Sequence, residues 1–253
     1  MKNILIQACQ VCKTFSGNGQ ETEVLKSVNT TVYKDDFTVI MGSSGAGKST
    51  LLYALSGMDS ITDGSVTFLG KEMHTLSEKK MSKLRAKEFG FIFQQTHLVS
   101  NLTLFENIAV AGYAAGIGTE KEIKEKAEAL IIKMNIHNAK NRLPSQVSGG
   151  EAQRAAIARA VIGNPKLIFA DEPTGALNKA NSEEVLKLLT ELNNNGQSIV
   201  MVTHDIRAAL HGNRILYLED GKILDELLLI HYGQDNLKER EGRVSRWLSS
   251  LQW

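Results

Sequence analysis

The stretch Gly42-Ser43-Ser44-Gly45-Ala46-Gly47-Lys48-Ser49-Thr50 follows an apolar run, Phe37-Thr38-Val39-Ile40-Met41, and precedes Leu51-Leu52-Tyr53-Ala54-Leu55, which reads as the start of a helix. Strand, glycine loop and helix in that order make a phosphate cradle. The glycines let the backbone curl and turn successive N–H groups toward phosphate oxygens, and the helix that begins near Lys48 points its positive end at the same place. The Lys48 ammonium then reaches the outer phosphates, and Ser49 is placed to ligate Mg²⁺. The alternative, a glycine-rich turn with a solvated lysine, has no apolar residue in the loop to give it a packing reason. A nucleoside-triphosphate site is therefore expected here.

With 253 residues and 42% hydrophobic content, the chain is large enough to bury a sizeable core. Its net charge is +1, with no broad basic surface to hold a duplex by its phosphates, so nucleic acid is not expected as a partner. The longest uncharged apolar stretch, from Asn107 to Gly118, is interrupted by glycines and falls short of the roughly 20 residues of a bilayer helix. Ile4-Leu5-Ile6 is too short for the core of a secretion signal, and a cytoplasmic location is expected. Cys9 and Cys12 form a Cys-x-x-Cys pair in a region that reads as strand. Positions three apart on a strand face opposite sides, so two reduced structural thiols are expected rather than a metal site.

Apolar runs mark strands at Ile4 to Val11, Val24 to Val32, Phe37 to Met41, Ser65 to Gly70 and Phe89 to Phe93, the first two joined by the loop Ser16 to Gln20. Further runs fall at Leu167 to Ala170, Ser198 to Val202 and Arg214 to Leu218. Helical periodicity predicts a polar helix from Ser77 to about Lys87. It predicts helical structure between Thr103 and Met134, with Ile123, Ala127, Leu130, Ile131 and Met134 on one stripe. An alanine-rich helix from Gly149 to Ile162 and helices at Ser182 to Leu192 and Asp205 to Leu210 complete the pattern. Strands alternating with helices imply an α/β fold with a parallel sheet covered on both faces.

Leu167-Ile168-Phe169-Ala170-Asp171-Glu172 is a buried-strand pattern ending in two carboxylates, which a parallel sheet places at the edge where ligands bind. Asp171 is suited to hold Mg²⁺ through water. Glu172 is suited to take a proton from the attacking water. Val200-Met201-Val202-Thr203-His204-Asp205 ends a strand on a histidine able to donate to a γ-phosphate, and Gln94 follows Phe89 to Phe93 with an amide able to bridge metal and water.

At Val147-Ser148-Gly149-Gly150-Glu151 the chain resembles the nucleotide-binding subunit of an ATP-binding cassette (ABC) transporter. The resemblance runs from about Ile4 to Leu227 and covers Walker A at Gly42 to Ser49, the Q-loop at Gln94, the signature at Ser148 to Glu151, Walker B at Leu167 to Glu172 and the switch His204. It implies the ABC ATPase fold: a P-loop NTPase core with a RecA-like parallel sheet and an antiparallel β subdomain, plus an inserted helical subdomain. The division expected is a cassette over 1–230, with its core at 1–94 and 161–230 and the helical subdomain at 95–160, followed by a C-terminal amphipathic helix at 231–253. ATP and Mg²⁺ are the implied cofactors. Ser148 and the first amides of the following helix would bind phosphate held by a second copy, so two copies pack head to tail. Phe15 falls where the family stacks an aromatic on adenine; filling core near a strand end is the alternative.

Three positions depart from the family pattern: Glu151 for the signature glutamine, Asn178 for the last aspartate of the D-loop Gly175-Ala176-Leu177-Asn178, and Val147 for leucine. Within the family, Glu21 to Leu25, Phe91 to Gln95 and Ala170 to Asn178 look most like the branch serving antimicrobial-peptide resistance, macrolide export and lipoprotein extraction. That branch works with an integral membrane permease, and its peptide-resistance members often with a sensor kinase. The rival reading is an ATPase of a membrane signalling or cell-division complex that moves no solute. In the tail, Leu237, Val244, Trp247, Leu248 and Leu251 share a helical stripe, for packing on the chain's own domain or on a partner.

Overall fold

The computed structural model describes residues 3–17, 20–233 and 237–251. In chain order the strands are β1 (Ile4–Gly17), β2 (Gln20–Tyr33), β3 (Phe37–Met41), β4 (Asp63–Phe68), β5 (Lys71–Glu72), β6 (Phe89–Phe93), β7 (Leu167–Asp171), β8 (Ser198–Val202), β9 (Arg214–Glu219) and β10 (Lys222–Leu228). The helices are α1 (Lys48–Ser56), α2 (Glu78–Glu88), α3 (Leu104–Ala115), α4 (Glu120–Lys133), α5 (Gly149–Val161), α6 (Lys179–Asn194), α7 (Ile206–Ala209) and α8 (Leu237–Ser250). They form two compact units, one of Met1–Ser77 with Leu192–Trp253 and the other of Glu78–Glu191. The α/β expectation is met.

The first unit holds two sheets. An antiparallel one has the order β2-β1-β4-β5. In the other, β3 lies between β8 and β9, parallel to both, with β10 antiparallel beyond β9. Every residue of β3 and of β8 is buried, as expected of short parallel strands covered on both faces. The β1–β2 hairpin is longer than its apolar runs suggest, because the polar segments Thr14 to Gly17 and Gln20 to Glu23 pair across it. Of the loop expected at Ser16 to Gln20, Asn18 and Gly19 lie outside the described residues.

The expectation that Cys9 and Cys12 face opposite sides needs correction. A bulge separates them, Gln10 adopts φ 51°, and both Ala8 and Val11 are buried while Cys9 is exposed and Cys12 half-buried. The extra residue resets the alternation. Both thiols are free, with Cys12 Sγ 3.6 Å from Ser27 Oγ.

The second unit holds the parallel pair β6–β7, helices α2 to α5 and most of α6. The expected helical stretch from Thr103 to Met134 is two helices, because Gly116 ends α3 in the left-handed region at φ 65° and Thr119 starts α4. Three helices begin with the same reciprocal cap. Thr103 with Glu106, Thr119 with Glu122 and Ser148 with Glu151 each exchange side chain and backbone hydrogen bonds three residues apart. Those bonds, the one from the cap residue's backbone foremost, hold the three carboxyls below the usual glutamate value.

A carboxyl whose pKa is depressed in the folded state stabilises fully above its unfolded value, and that stabilisation is lost as pH falls through the folded one. The double variant Glu106→Gln/Glu122→Gln keeps an acceptor at both caps without a titrating charge. It is expected to lose less melting temperature than the parent between about pH 6 and about pH 3. Circular dichroism melts across that range check this, and an equal or steeper loss in the variant contradicts it.

Candidate functional site

In the first unit the sequence-predicted loop leaves the carboxyl end of β3 and feeds α1. Gly42 is obligatory there, since a Cβ would sit 2.0 Å from the carbonyl oxygen of Leu218. Gly45 and Gly47 adopt φ 82° and 100°, conformations that glycine reaches without penalty. Ala46 is buried and its N–H bonds Ser43 O at 3.2 Å, while Ser43, Ser44 and Gly45 are exposed. Lys48 is only 8% exposed and curls back over the loop, its Nζ donating to Gly42 O at 2.9 Å and to Ser43 O at 2.7 Å. The cation is thereby fixed over the loop by two of the loop's own carbonyls. Ser49 and Thr50 follow in the first turn of α1, half-buried.

Thr38 to Ile40 pair with Val200 to Val202, and Thr203 N donates to Ile40 O at 3.2 Å. The phosphate loop and His204 therefore leave the same sheet edge, and His204 is exposed there. Phe15 is 45% exposed, which removes the core-filling alternative. Its ring carries Lys13 Nζ 4.8 Å from the centroid, an exposed aromatic face able to stack on a base.

The second unit brings together the other half of the predicted set. β6 and β7 run in register, with Phe93 opposite Asp171, so Gln94 and Glu172 emerge side by side. Asp171 and Glu172 are half-buried, and Glu172 takes φ 44°, a left-handed conformation that turns the chain sharply after Asp171. Gly175 lies against the Gln94 amide, where a Cβ would meet Nε2 at 2.8 Å. Asn178 Oδ1 accepts from Asn181 N at 2.9 Å, so the residue replacing the D-loop aspartate still caps α6.

Ser148 and Gly149 are exposed at the start of α5. Gly150 is closed off by Asn181, 2.6 Å from where its Cβ would stand, and Gly149 faces Leu177. Glu151 does more than stand in for glutamine. Its Oε2 accepts from Ser148 N at 2.8 Å and from Ser148 Oγ at 2.7 Å.

Two residues that the alanine-rich pattern of α5 concealed tie this helix to the Gln94 strand end. Gln153 is buried and donates to Phe93 O at 3.0 Å. Arg159 donates to Thr96 O at 2.7 Å and to His97 O at 2.6 Å. A polar residue on the apolar face of a helix was the available signal for Gln153. Arg154 pairs with Glu184 on α6 at 2.6 Å.

The model of the family described as ABC transporter matches residues 25–175. The chain belongs to the ABC transporter family. It carries that family's ATPase cassette. It is 38% identical over 253 residues to the macrolide export ATP-binding/permease protein MacB of Pasteurella multocida (strain Pm70), matching all of this chain and 38% of that protein's length. It is 40% identical over 225 residues to the lipoprotein-releasing system ATP-binding protein LolD of Wigglesworthia glossinidia brevipalpis, covering 88% of this chain and 98% of that one. A dimeric structure of a post-hydrolysis state of the ATP-binding cassette MJ0796, bound to ADP and Pi, superposes with a TM-score of 0.84 at 35% identity, over 90% of this chain and 100% of that one. These relatives match the branch expected from the motifs.

In this ABC cassette the bond from Gln153 to Phe93 O is the interior link between the signature helix and the Gln94 strand. Replacing Gln153 by Leu leaves that carbonyl without its donor, and the cost expected is about 1–3 kcal/mol of stability. Urea denaturation of the two proteins measures it, and a change within experimental error refutes the role.

Proposed function

We propose that this chain binds and hydrolyses Mg·ATP as one half of a head-to-tail dimer that drives an integral membrane permease. The observation that carries the reading is the phosphate loop, in which a buried lysine is fixed over three glycine-permitted turns at the end of a fully buried parallel strand. In this reading the amides of Gly42, Ser43, Ser44, Gly45, Ala46 and Gly47 and the Lys48 ammonium hold the phosphates, with Ser49 and Thr50 beginning the helix whose positive end faces them. Phe15 offers its exposed ring to the adenine. Ser148, Gly149, Gly150 and Glu151 form the helix end that closes over the nucleotide of the other copy.

The hard oxygen donors Ser49, Gln94 and Asp171 suit Mg²⁺, which is commonly held by one or two carboxylates together with substrate phosphates. When bound, Mg²⁺ neutralises charge developing on the phosphate oxygens. Glu172 accepts the proton of the attacking water, Gln94 orients that water, and His204 donates a hydrogen bond to the γ-phosphate. The division into a cassette at 1–230, with a helical subdomain at 95–160, and a tail at 231–253 belongs to the same reading.

Similarity over nearly the whole of a lipoprotein-releasing ATP-binding protein, and over 38% of a macrolide exporter that is itself named ATP-binding/permease, supports a permease partner and export or resistance as the process served. Antimicrobial peptides are the substrate class we favour, with a sensor kinase as a further partner. No helix among the described residues is long and apolar enough to cross a membrane. In this reading the chain lies on the cytoplasmic face, held there through its permease. A signalling or cell-division ATPase that moves no solute is the reading to which a partner without transport activity would point.

Glu172→Gln is expected to retain ATP binding and to lower hydrolysis about 10²- to 10⁴-fold, the range for loss of a general base. Phosphate release and nucleotide titration on the same preparation test this, and undiminished turnover refutes the assignment. Lys48→Ala, by contrast, should weaken nucleotide binding itself. Calorimetry giving an unchanged affinity would count against the phosphate-loop role.

A further inference from the structure

Arg240 is fully buried on the inner face of α8, where sequence periodicity had suggested only apolar contacts. Val244 and Leu248 share that face and Trp247 is half-buried, whereas Leu237 is 46% exposed and stands outside it; Trp253 lies outside the described residues. Sealing a guanidinium away from water is costly unless its donors are satisfied. Arg240 Nε donates to Leu210 O at 2.5 Å, Nη1 to Ile230 O at 2.7 Å and Nη2 to Gly212 O. Its Cζ lies 5.6 Å from the Tyr232 ring centroid, and Tyr232 stacks on His211 with centroids 4.2 Å apart. Burial, with Arg240 beside it, pushes the His211 pKa down to about 4, so His211 is neutral near pH 7 and sets no second cation against the first.

Those carbonyls have a particular place in the chain. Leu210 is the C-cap of α7, a single turn whose N-cap, Asp205, directly follows His204. One turn of helix is not stable alone and depends on what holds its ends. At the front, Asp205 N donates to Thr203 Oγ1 at 3.0 Å and Asp205 Oδ1 accepts from Arg207 N at 2.9 Å. At the back, the Arg240 cation faces the carbonyls where the helix dipole is negative. Just beyond, Asn213 is locked to the sheet, accepting from Phe37 N at 2.6 Å and donating to Asp36 Oδ1 at 2.9 Å. Between Thr203 and Asn213 the segment bearing His204 is thus held by the sheet at both extremities and by α8 in between.

We propose that Arg240 is a positioning residue for ATP hydrolysis: by gripping the C-terminal carbonyls of α7 it fixes the segment that carries His204, and α8 is the brace whose docking turnover requires and nucleotide binding does not. This rests on the reading of His204 given above. Docking can be followed separately, because Trp247 Nε1 donates to Asp225 Oδ2 at 2.8 Å and its ring meets Tyr217 edge-on at 6.3 Å.

The test uses the full chain with Trp253→Phe, so that Trp247 is its one tryptophan. In that background Arg240→Met, Arg240→Lys and His204→Ala are compared for kcat and KM with Mg·ATP and for ATP affinity. Arg240→Met is expected to lower kcat about 10- to 100-fold, as misplacement of a catalytic group does, with KM and affinity within about twofold of the parent. Its Trp247 emission should shift to the red, and Arg240→Lys should restore much of the rate. The proposal is overturned if Arg240→Met keeps the parental kcat, or if kcat and affinity fall together. If His204→Ala alone loses turnover, the site reading stands and the brace falls; if His204→Ala keeps full turnover, the site reading itself falls and the brace with it. Should Arg240→Met not be recovered folded, Leu248→Ala loosens the same docking and must show the same fall in kcat at constant affinity.

Discussion

Flush ends on short buried parallel strands are the constraint from which the site follows. β3 and β8 have no exposed residue, so neither can continue into solvent as strand, and each must convert within a residue or two to a loop that satisfies its own backbone. Ile40 is in register with Val202, and both strands stop within one residue of that pair. The loops that follow, one rich in glycine and one bearing His204, are therefore delivered to the same edge. β6 and β7 obey the same rule in their own unit, where Phe93 and Asp171 end in step. The residues proposed for catalysis are placed here by where a hydrophobic strand runs out.

This is why so much could be read in the sequence. The runs Phe37 to Met41, Leu167 to Ala170 and Ser198 to Val202 announce themselves by apolarity, and their ends are marked by the first glycine, carboxylate or histidine after them. The strand limits observed agree to within a residue. A local signal for helix starts was also present, although the start at Thr119 was not read from it: Thr103, Thr119 and Ser148 each have a glutamate three residues on, and each forms the reciprocal cap. Residue type and spacing suffice when the partner group lies within one turn of chain.

What remained hidden depends on partners far away in the chain. Gln153 and Arg159 satisfy carbonyls about sixty residues earlier, and Arg240 satisfies carbonyls about thirty residues earlier; no periodicity encodes which carbonyl will want a donor. The bulge at Gln10 is hidden for a related reason, since alternation along one strand carries no record of an extra residue opposite another. The paired ends of β1 and β2 have Phe15 as their one large apolar residue and gain their order from the ladder itself. In each case pairing with another segment overrides the pattern along one.

Glu151 shows how a local rule and a functional demand meet at one residue. As the third residue of α5 it is the natural completion of the Ser148 cap, and a carboxylate there also suits the positive end of the helix. The same end is the one proposed to receive phosphate from a second copy. A glutamine could accept the same bonds through its amide oxygen and remain neutral, so glutamate adds a negative charge where a triphosphate has to approach. It also engages the Ser148 hydroxyl proton, which must turn away from Oε2 before it can donate to phosphate. Glu151 N is taken up by Ser148 Oγ at 3.2 Å, whereas Gly149 is exposed without a side chain to obstruct its amide. In the proposed reading, then, the signature is ordered by its own cap before any nucleotide arrives, and the Ser148 hydroxyl reaches phosphate only by giving up one bond of that cap.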